Sequence, residues 1–541
     1  MRVFEVVIAL LLGGAALAAI ARRIGAPYPA LVALAGAALA LIPGAPTVAL
    51  DPDLALALFV APVLLDAAFD SSPRDLRANW RQVASLALGA VALTICVVAV
   101  VVRVLVPDMP WAVAIAVGAI VAPPDAAAAS TVLKQLRPPH RLLVILEGES
   151  LFNDASALLV YRIALAATAT GLLSGWSVLP ILLLVTGGSV VLGLALSRIV
   201  LAVTGRVQDV ATAVVLQFCG TFAVWLMAER LHLSGIITMV VFAIAAARRA
   251  PQLTPARIRI PSYAVWEVAV FVLNVLAFIL VGFQLKAISG RVTGAAGVRY
   301  SGIAVAICAA VITARIAWVS VAAAVSRWMC RPRPDGTRPS DGIGLTPSGA
   351  AVVGWCGMRG TVTLAAALAL PTHLDGGAAF PHRDLVVVIA FGVVLGTLVV
   401  QGLSLRPLLL HLRLKDDGTV DREARLARVE VLRSGAAATR FPQGAGAAEL
   451  VRQSYALQLE RAEADLARHE GRQTDDATIP SLAAGDDVAV LHAALGAQRR
   501  RLLALRADGT IGDAAFQQLE AELDWTELGW QQVLPAVERT P

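Results

Sequence analysis

Aromatic residues make up only 5% of this 541-residue chain, and charged residues only 16%. A soluble protein averages about 25% charged and about 45–50% apolar residues. Here 58% of the chain is hydrophobic and the mean hydropathy is +0.74, which excludes an ordinary soluble globule. Cysteine is sparse as well. Cys96, Cys219, Cys308, Cys330 and Cys356 form no CxxC pair, and no histidine stands at metal-ligand spacing from them. A structural or catalytic zinc is therefore not expected. The apolar stretches also lack an HExxH or Ser/His arrangement, which argues against an intramembrane enzyme. Ala, Val, Leu and Gly are plentiful, and they let helices pack closely in lipid.

Charge is unevenly placed. Residues 412–541 hold 16 Lys+Arg and 21 Asp+Glu, a net of −5, which leaves +11 on residues 1–411. The sequence pI near 9.3 would suit a nucleic-acid binder. The basic groups instead sit in short loops between apolar stretches, so no nucleic-acid partner is expected. The sequence reads as a basic membrane domain, 1–411, followed by an acidic cytoplasmic helical tail, 412–541.

A helix crossing about 30 Å of hydrocarbon needs about 20 mostly apolar residues. Thirteen stretches qualify: 3–21, 28–44, 54–69, 83–106, 110–134, 141–172, 177–203, 207–228, 233–248, 263–285, 300–329, 347–370 and 384–411. Arg22 and Arg23 follow the first stretch rather than precede it, so it reads as a retained helix and not a signal peptide. Positive charge tests the count. The loops after the odd-numbered stretches carry 17 Lys+Arg and the others 5, which predicts an outside N-terminus and a cytoplasmic tail.

An ionisable residue at the bilayer centre costs roughly 2.5–3.5 kcal/mol, so four left unpaired would cost on the order of 10–14 kcal/mol. Asp66, Asp125, Glu147, Glu149, Asp154, Glu267, Arg315 and Arg359 lie away from the ends of the stretches. Asp125 follows Pro123 and Pro124 in 120-IVAPPDAAAAS-130. Two prolines break the backbone ladder, and broken helices commonly form the binding sites of secondary transporters. A simple proline kink is the competing reading. In 145-ILEGESLFNDASALLVYR-162, Ser150 and Asp154 share one helical face, and Glu149 points about 140° away. Asp125 lies nine residues from Lys134, roughly 13 Å, and Asp154 thirteen from Arg141, roughly 20 Å, so both reach mid-membrane. Hard cations prefer oxygen ligands, and a carboxyl withdrawn from water also takes protons. One site holding either ion is the minimum device for exchange. Arg359 stands among Gly354, Gly357 and Gly360 in 353-VGWCGMRGTVTLAAALALP-371. Those glycines permit unwinding or close helix approach; a packing seam with a snorkelling Arg is the alternative.

The segments IVAPPDA, LEGESLFNDA and GMRGTVTLAAALALP, in that order, resemble the bacterial sodium/proton antiporters of the monovalent cation:proton antiporter family. Weaker pieces are 61-APVLLDAAF-69 and 271-FVLNVLAFILVGFQL-285, and the likeness runs from about residue 5 to 411. It implies an all-α membrane protein of about thirteen transmembrane helices, arranged as two inverted six-helix repeats with crossed broken helices. A dimerisation domain, a moving core domain and a homodimer in the bacterial inner membrane would follow. The activity implied is exchange of Na+, Li+ or K+ for H+, with no cofactor beyond the transported ions.

By resemblance, Asp154 is the main cation and proton carrier, with Asn153 beside it. Ser150 and Asp125 are similar to co-ligands, so Asp154 and Asp125 would hold Na+. Asp66 falls where a carboxylate reaches the ion. Glu149 matches a Glu paired with an Arg, here Arg315, and Arg359 matches the core Arg beside the broken-helix backbone of Pro123, Pro124, Gly357 and Gly360. Pro124 replaces a threonine ligand of many members. The Asn-Asp pair, rather than Asp-Asp, resembles electroneutral exchangers. A K+/H+ antiporter and a cation channel using the same carboxylates remain alternatives. In the tail, helices are expected near 447–471, 485–507 and 511–535, with Asp508–Gly509 as a stop, forming a solvated appendage or a regulator.

Overall fold

The computed structural model describes residues 2–40, 42, 54, 56–136, 138–170, 175–254, 256–289, 294–329, 346–373, 379–414, 416–438 and 447–469. The chain divides into two compact units, Met1–Gly418 and Thr419–Pro541. Among the described residues the structure is helical, apart from an isolated bridge between His373 and Ala379.

In the first unit α1 spans Arg2–Ile24, α2 Tyr28–Ala40 and α3 Ala61–Asp70, the last entered through a wide turn at Leu56–Val60. A short connecting helix α4, Pro73–Ala78, leads to α5, Trp80–Leu105. There follow α6 (Trp111–Val121), α7 (Ala126–Leu136), α8 (His140–Thr170), α9 (Gly175–Thr204), α10 (Val210–Arg230) and α11 (Gly235–Leu253). The unit closes with α12 (Ala256–Ser289), α13 (Gly294–Met329), α14 (Pro347–Trp355), α15 (Thr361–Leu368) and α16 (Arg383–Leu412).

Local chemistry sets several helix starts. Asp209 accepts from the Thr212 N–H at 2.8 Å, and Thr346 accepts from the Gly349 N–H at 3.1 Å, each satisfying a donor that the first turn leaves orphaned. Pro347 then occupies a position where its missing N–H costs nothing. Gly25, at φ +66°, ends α1 in the left-handed region.

Among the described residues six helices are long and apolar enough to cross a membrane: Trp80–Leu105, Leu183–Thr204, Val210–Arg230, Pro261–Gln284, Ala296–Trp328 and Arg383–Leu412. Tyr28–Ala40, Leu56–Phe69 and Trp111–Val121 are apolar but shorter. The charged α8 and the two interrupted helices fall outside that set for the same reason that makes them interesting.

Two apolar clusters flank the interruptions. One joins α7 (Ala128, Leu133) to α14 (Val352, Val353). The other joins α6 (Val117, Val121) to α15 (Ala366, Ala367). The first half of one interrupted helix, α6, packs directly on the second half of the other, α15, while α7 and α14 share the other core, leaving two non-helical backbones face to face. On another side, α2 and α12 meet backbone to backbone at Gly36 and Gly282, where any side chain would strike main-chain atoms.

The second unit contains α17 (Thr419–Ala438) and α18 (Ala447–His469), tied by Arg433–Glu463 at 2.8 Å and Arg425–Asp465 at 3.2 Å. The helix α17 was not among those expected from the sequence. Nine of its twenty residues are Thr, Ser or charged, and it packs against α18. The expected tail helices at 485–507 and 511–535, and Asp508–Gly509, lie outside the described residues.

Candidate cation-binding site

The interruption between α6 and α7 covers residues 122–125, and that between α14 and α15 covers 356–360. Pro123 and Pro124 have no N–H to offer the last carbonyls of α6, and buried carbonyls need partners. The Asp125 N–H, the donor that would have served Val121, is drawn across to the Met358 carbonyl at 2.7 Å. Arg359 makes good the loss. Its Nε donates to the Val121 carbonyl at 2.9 Å and its Nη2 to the Ala122 carbonyl at 3.2 Å, while Nη1 donates to the Gly357 carbonyl. Asn153 Nδ2 donates to the Pro124 carbonyl at 3.1 Å. Irregular backbone at membrane depth survives only when satisfied in this way.

The second interruption has its own arginine. Arg315 donates from Nε and Nη2 to the Val353 carbonyl at 3.2 and 3.0 Å, near the end of α14. Its remaining fork meets Glu149 in a bidentate ion pair, Nη1–Oε1 2.5 Å and Nη2–Oε2 2.8 Å. Both partners are almost fully buried, at 2% and 1% exposure, so the pair stands without help from water. Glycine permits the approach: a Cβ at Gly357 would collide with the Arg315 side chain, and one at Gly360 with the Asp125 carboxylate.

Asp125 therefore lies over the N-terminus of α15, where orphan N–H groups and the helix dipole favour an anion. It is half-buried. Asp154, on α8, is buried at 6% exposure and close enough to Asp125 for the two charges to act on each other. Asn153 is fully buried, and its Oδ1 has no hydrogen-bond partner. Ser150, half-buried, lies one turn before Asp154. Asp66 is half-buried on α3, between Leu65 and Ala68, which pack with Leu151 of α8. Glu149 and Arg315 stand apart from this group as a separate pair.

One residue falls differently from its reading as a mid-membrane charge. Glu267 is exposed on α12, and no described contact joins it to the cluster. Other residues were not singled out. Thr397 of α16 accepts from the Arg359 N–H at 3.0 Å, and the Tyr28 hydroxyl bonds the Asn274 side chain within range of the Asp125 charge. A lone polar residue inside an apolar run, as in 393-VVLGTLVVQ-401, is the sequence signal that marks Thr397. Among the described residues no group of three or more His, Cys, Asp or Glu is placed to hold a resident metal ion.

Two interrupted helices meeting beside a pair of carboxylates, one of them buried, characterise a transporter more than an enzyme. The profile of the family described as "Sodium/hydrogen exchanger, transmembrane" matches residues 7–411. The chain belongs to that family. It is a monovalent cation:proton antiporter, a multi-pass membrane protein and not an enzyme. A Mycobacterium tuberculosis protein named as an uncharacterised Na+/H+ exchanger is 31% identical over 519 residues, covering 94% of this chain and 92% of that one. A Bacillus pumilus antiporter named for sodium, potassium, lithium and rubidium is 29% identical, covering 75% of this chain and 61% of that protein. The solved sodium/proton antiporter NhaP1 of Methanocaldococcus jannaschii shares the fold. Its TM-score is 0.57 at 17% identity, covering 76% of this chain and 99% of that one.

Proposed function

We propose that this antiporter exchanges Na+, or Li+ or K+, for H+ one for one by alternating access. Cation and proton compete for Asp154, with Asp125, Asn153, Ser150 and Asp66 as supporting oxygens. The observation that carries the reading is the meeting of the two interruptions beside Asp154 and Asp125. Asn153 adds to it, because it already spends its amide on the Pro124 carbonyl and keeps a buried oxygen without a partner. Protonating Asp154 removes the charge that holds the cation, and either loaded form neutralises the site enough to move through a low-dielectric interior. An empty, charged site pays the full desolvation penalty, which keeps the carrier from slipping without cargo.

In this reading Glu149–Arg315 and Arg359 hold the broken backbone in place and do not carry ions. The spans number thirteen in two inverted six-helix repeats, with α6–α7 in one corresponding to α14–α15 in the other. Residues 1–411 comprise dimerisation and core parts of a homodimer, with the N-terminus outside and the tail cytoplasmic. Potassium/proton exchange is the second reading, favoured by the cations in the Bacillus pumilus protein's name.

The test is transport by purified protein in proteoliposomes, followed with a pH-sensitive dye while Na+, Li+ or K+ is applied. Wild type is expected to exchange and Asp154→Asn to lose exchange with all three. Wild-type activity in Asp154→Asn would remove Asp154 from the role. Ion currents without proton counterflow would instead indicate a channel.

A further inference from the structure

A cavity of about 1030 Å³ opens between α5 and α8 on one side and α9, α10 and α11 on the other. Neither Asp154 nor Asp125 lines it, so it is separate from the carboxylate cluster. Its wall is apolar for most of its length, with Leu88 of α5, Phe152 and Leu159 of α8, and Val185 of α9. Charge is confined to two places. Arg162 and Glu229 line it together and neutralise each other at 3.4 Å. At the other end stands Arg77 beside Trp80, and among the described residues Arg77 has no carboxylate partner.

That end is firmly held. The helix α4 carrying Arg77 is fastened to α8 by Arg141 Nε donating to Asn79 Oδ1 at 2.8 Å, and by a 3.4 Å contact between His140 and Asp75. Arg81 lies 5.8 Å from the centroid of the Trp80 ring, so a second guanidinium and an amphipathic ring sit at the same rim. Tryptophan and basic side chains at one end of an apolar channel are the chemistry of the membrane interface, where lipid phosphates lie. Along α8 the lining runs from Phe152 to Leu165, thirteen residues or about 20 Å. One leaflet of hydrocarbon is about 15 Å deep, half of the whole core, so an acyl chain entering at the Arg77 rim fits within the length of the cavity.

We infer that this cavity holds one acyl chain of an anionic phospholipid whose phosphate rests on Arg77 beside Trp80. The chain fills space that water would occupy only at a cost, since apolar walls offer it no hydrogen bonds. The headgroup supplies the carboxylate-like partner that Arg77 lacks. The inference rests on the chain being a membrane antiporter and not on which cation it moves, so a failure of the transport assay leaves the lipid measurement unaffected.

Native mass spectrometry of the full-length protein tests it, in micelles supplied with either phosphatidylglycerol or phosphatidylcholine. Wild type is expected to retain phosphatidylglycerol with about ten-fold preference, the equivalent of one charge-assisted contact. Arg77→Gln should retain lipid but lose the preference. Thr186→Trp, which adds bulk from an exposed lining position on α9, should lose retention of both lipids. Folding of each variant is checked by a monodisperse elution profile and by a wild-type melting temperature in detergent. Equal retention of the two lipids by wild type overturns the proposal. So does full preference in Arg77→Gln, or wild-type retention in Thr186→Trp, which would put the lipid elsewhere.

Discussion

The two interrupted helices reach the same end by opposite chemical means. The first is broken by what its backbone lacks, because Pro123 and Pro124 supply no N–H to the end of α6. The second is opened by what its side chains lack, with Gly357 and Gly360 leaving room for Arg315 and the Asp125 carboxylate. Each broken end then takes its donors from one arginine remote in sequence or across the crossing. Arg359 of the second interruption serves the first, and Arg315 of α13 serves the second. The difference is in charge. Arg315 is neutralised by Glu149, whereas Arg359 spends its fork on carbonyls and the negative ends of helix dipoles. The glycine interruption is thus pinned by an ion pair, and the proline interruption by hydrogen bonds alone.

Substitutions can break this contrast in graded ways. The largest effect is expected from Glu149→Gln, which leaves Arg315 buried with no opposite charge. Loss of one partner of a buried pair costs about 3–5 kcal/mol, read as a lowered melting temperature in detergent, with poor recovery of folded protein. An unchanged melting temperature would mean the pair does not pin the second interruption. Next comes Gly360→Ala, whose methyl meets the Asp125 carboxylate. Overpacking of this kind costs about 1–3 kcal/mol, and displacement of Asp125 should lower exchange more than stability. Arg359→Lys keeps the charge but not the planar fork. It leaves the Val121 or Ala122 carbonyl unpaired, for about 1–3 kcal/mol, and hydrogen exchange should rise at the end of α6 before the rest of the molecule.

The smallest effect concerns pH, at Asp75 in the connecting helix α4. Burial pushes its carboxyl up, but hydrogen bonds from His140, Arg74 and Ser72, with the Arg74 charge, outweigh it and hold the group below its usual 3.8. A carboxylate held low stabilises the fold above its unfolded pKa and loses that stabilisation as pH falls through the folded value. Asp75→Asn should therefore lower the melting temperature slightly at neutral pH and leave it unchanged well below pH 3.8. A difference that persists in acid would point to packing in place of charge.

Much of the candidate site was legible because it depends on local spacing. Helical phase alone turns Glu149 away from Asp154, and in the structure Glu149 faces Arg315. The Pro-Pro-Asp run marks an interruption by its own chemistry, whatever surrounds it. Arg359 shows where that reading ends. Its position among glycines fits a packing seam as well as a cap, and two of its three carbonyl acceptors are 237 and 238 residues away. Thr397 and Asn274 were missed for the same reason, since a single polar residue in an apolar run says nothing about its partner. The helix α17 was missed because nine of its twenty residues are Thr, Ser or charged, which reads as solvated chain.

The sequence by itself determined that the chain lies in a membrane, where its apolar helices run, and which few charges must be paired at depth. These follow from composition, period and the cost of burying charge. Only the tertiary structure decided which donor serves which carbonyl, that the two interruptions exchange partners, and that a separate apolar channel lies between α8 and α9–α11. Those outcomes depend on contacts between segments tens to hundreds of residues apart, and no local rule of spacing carries them.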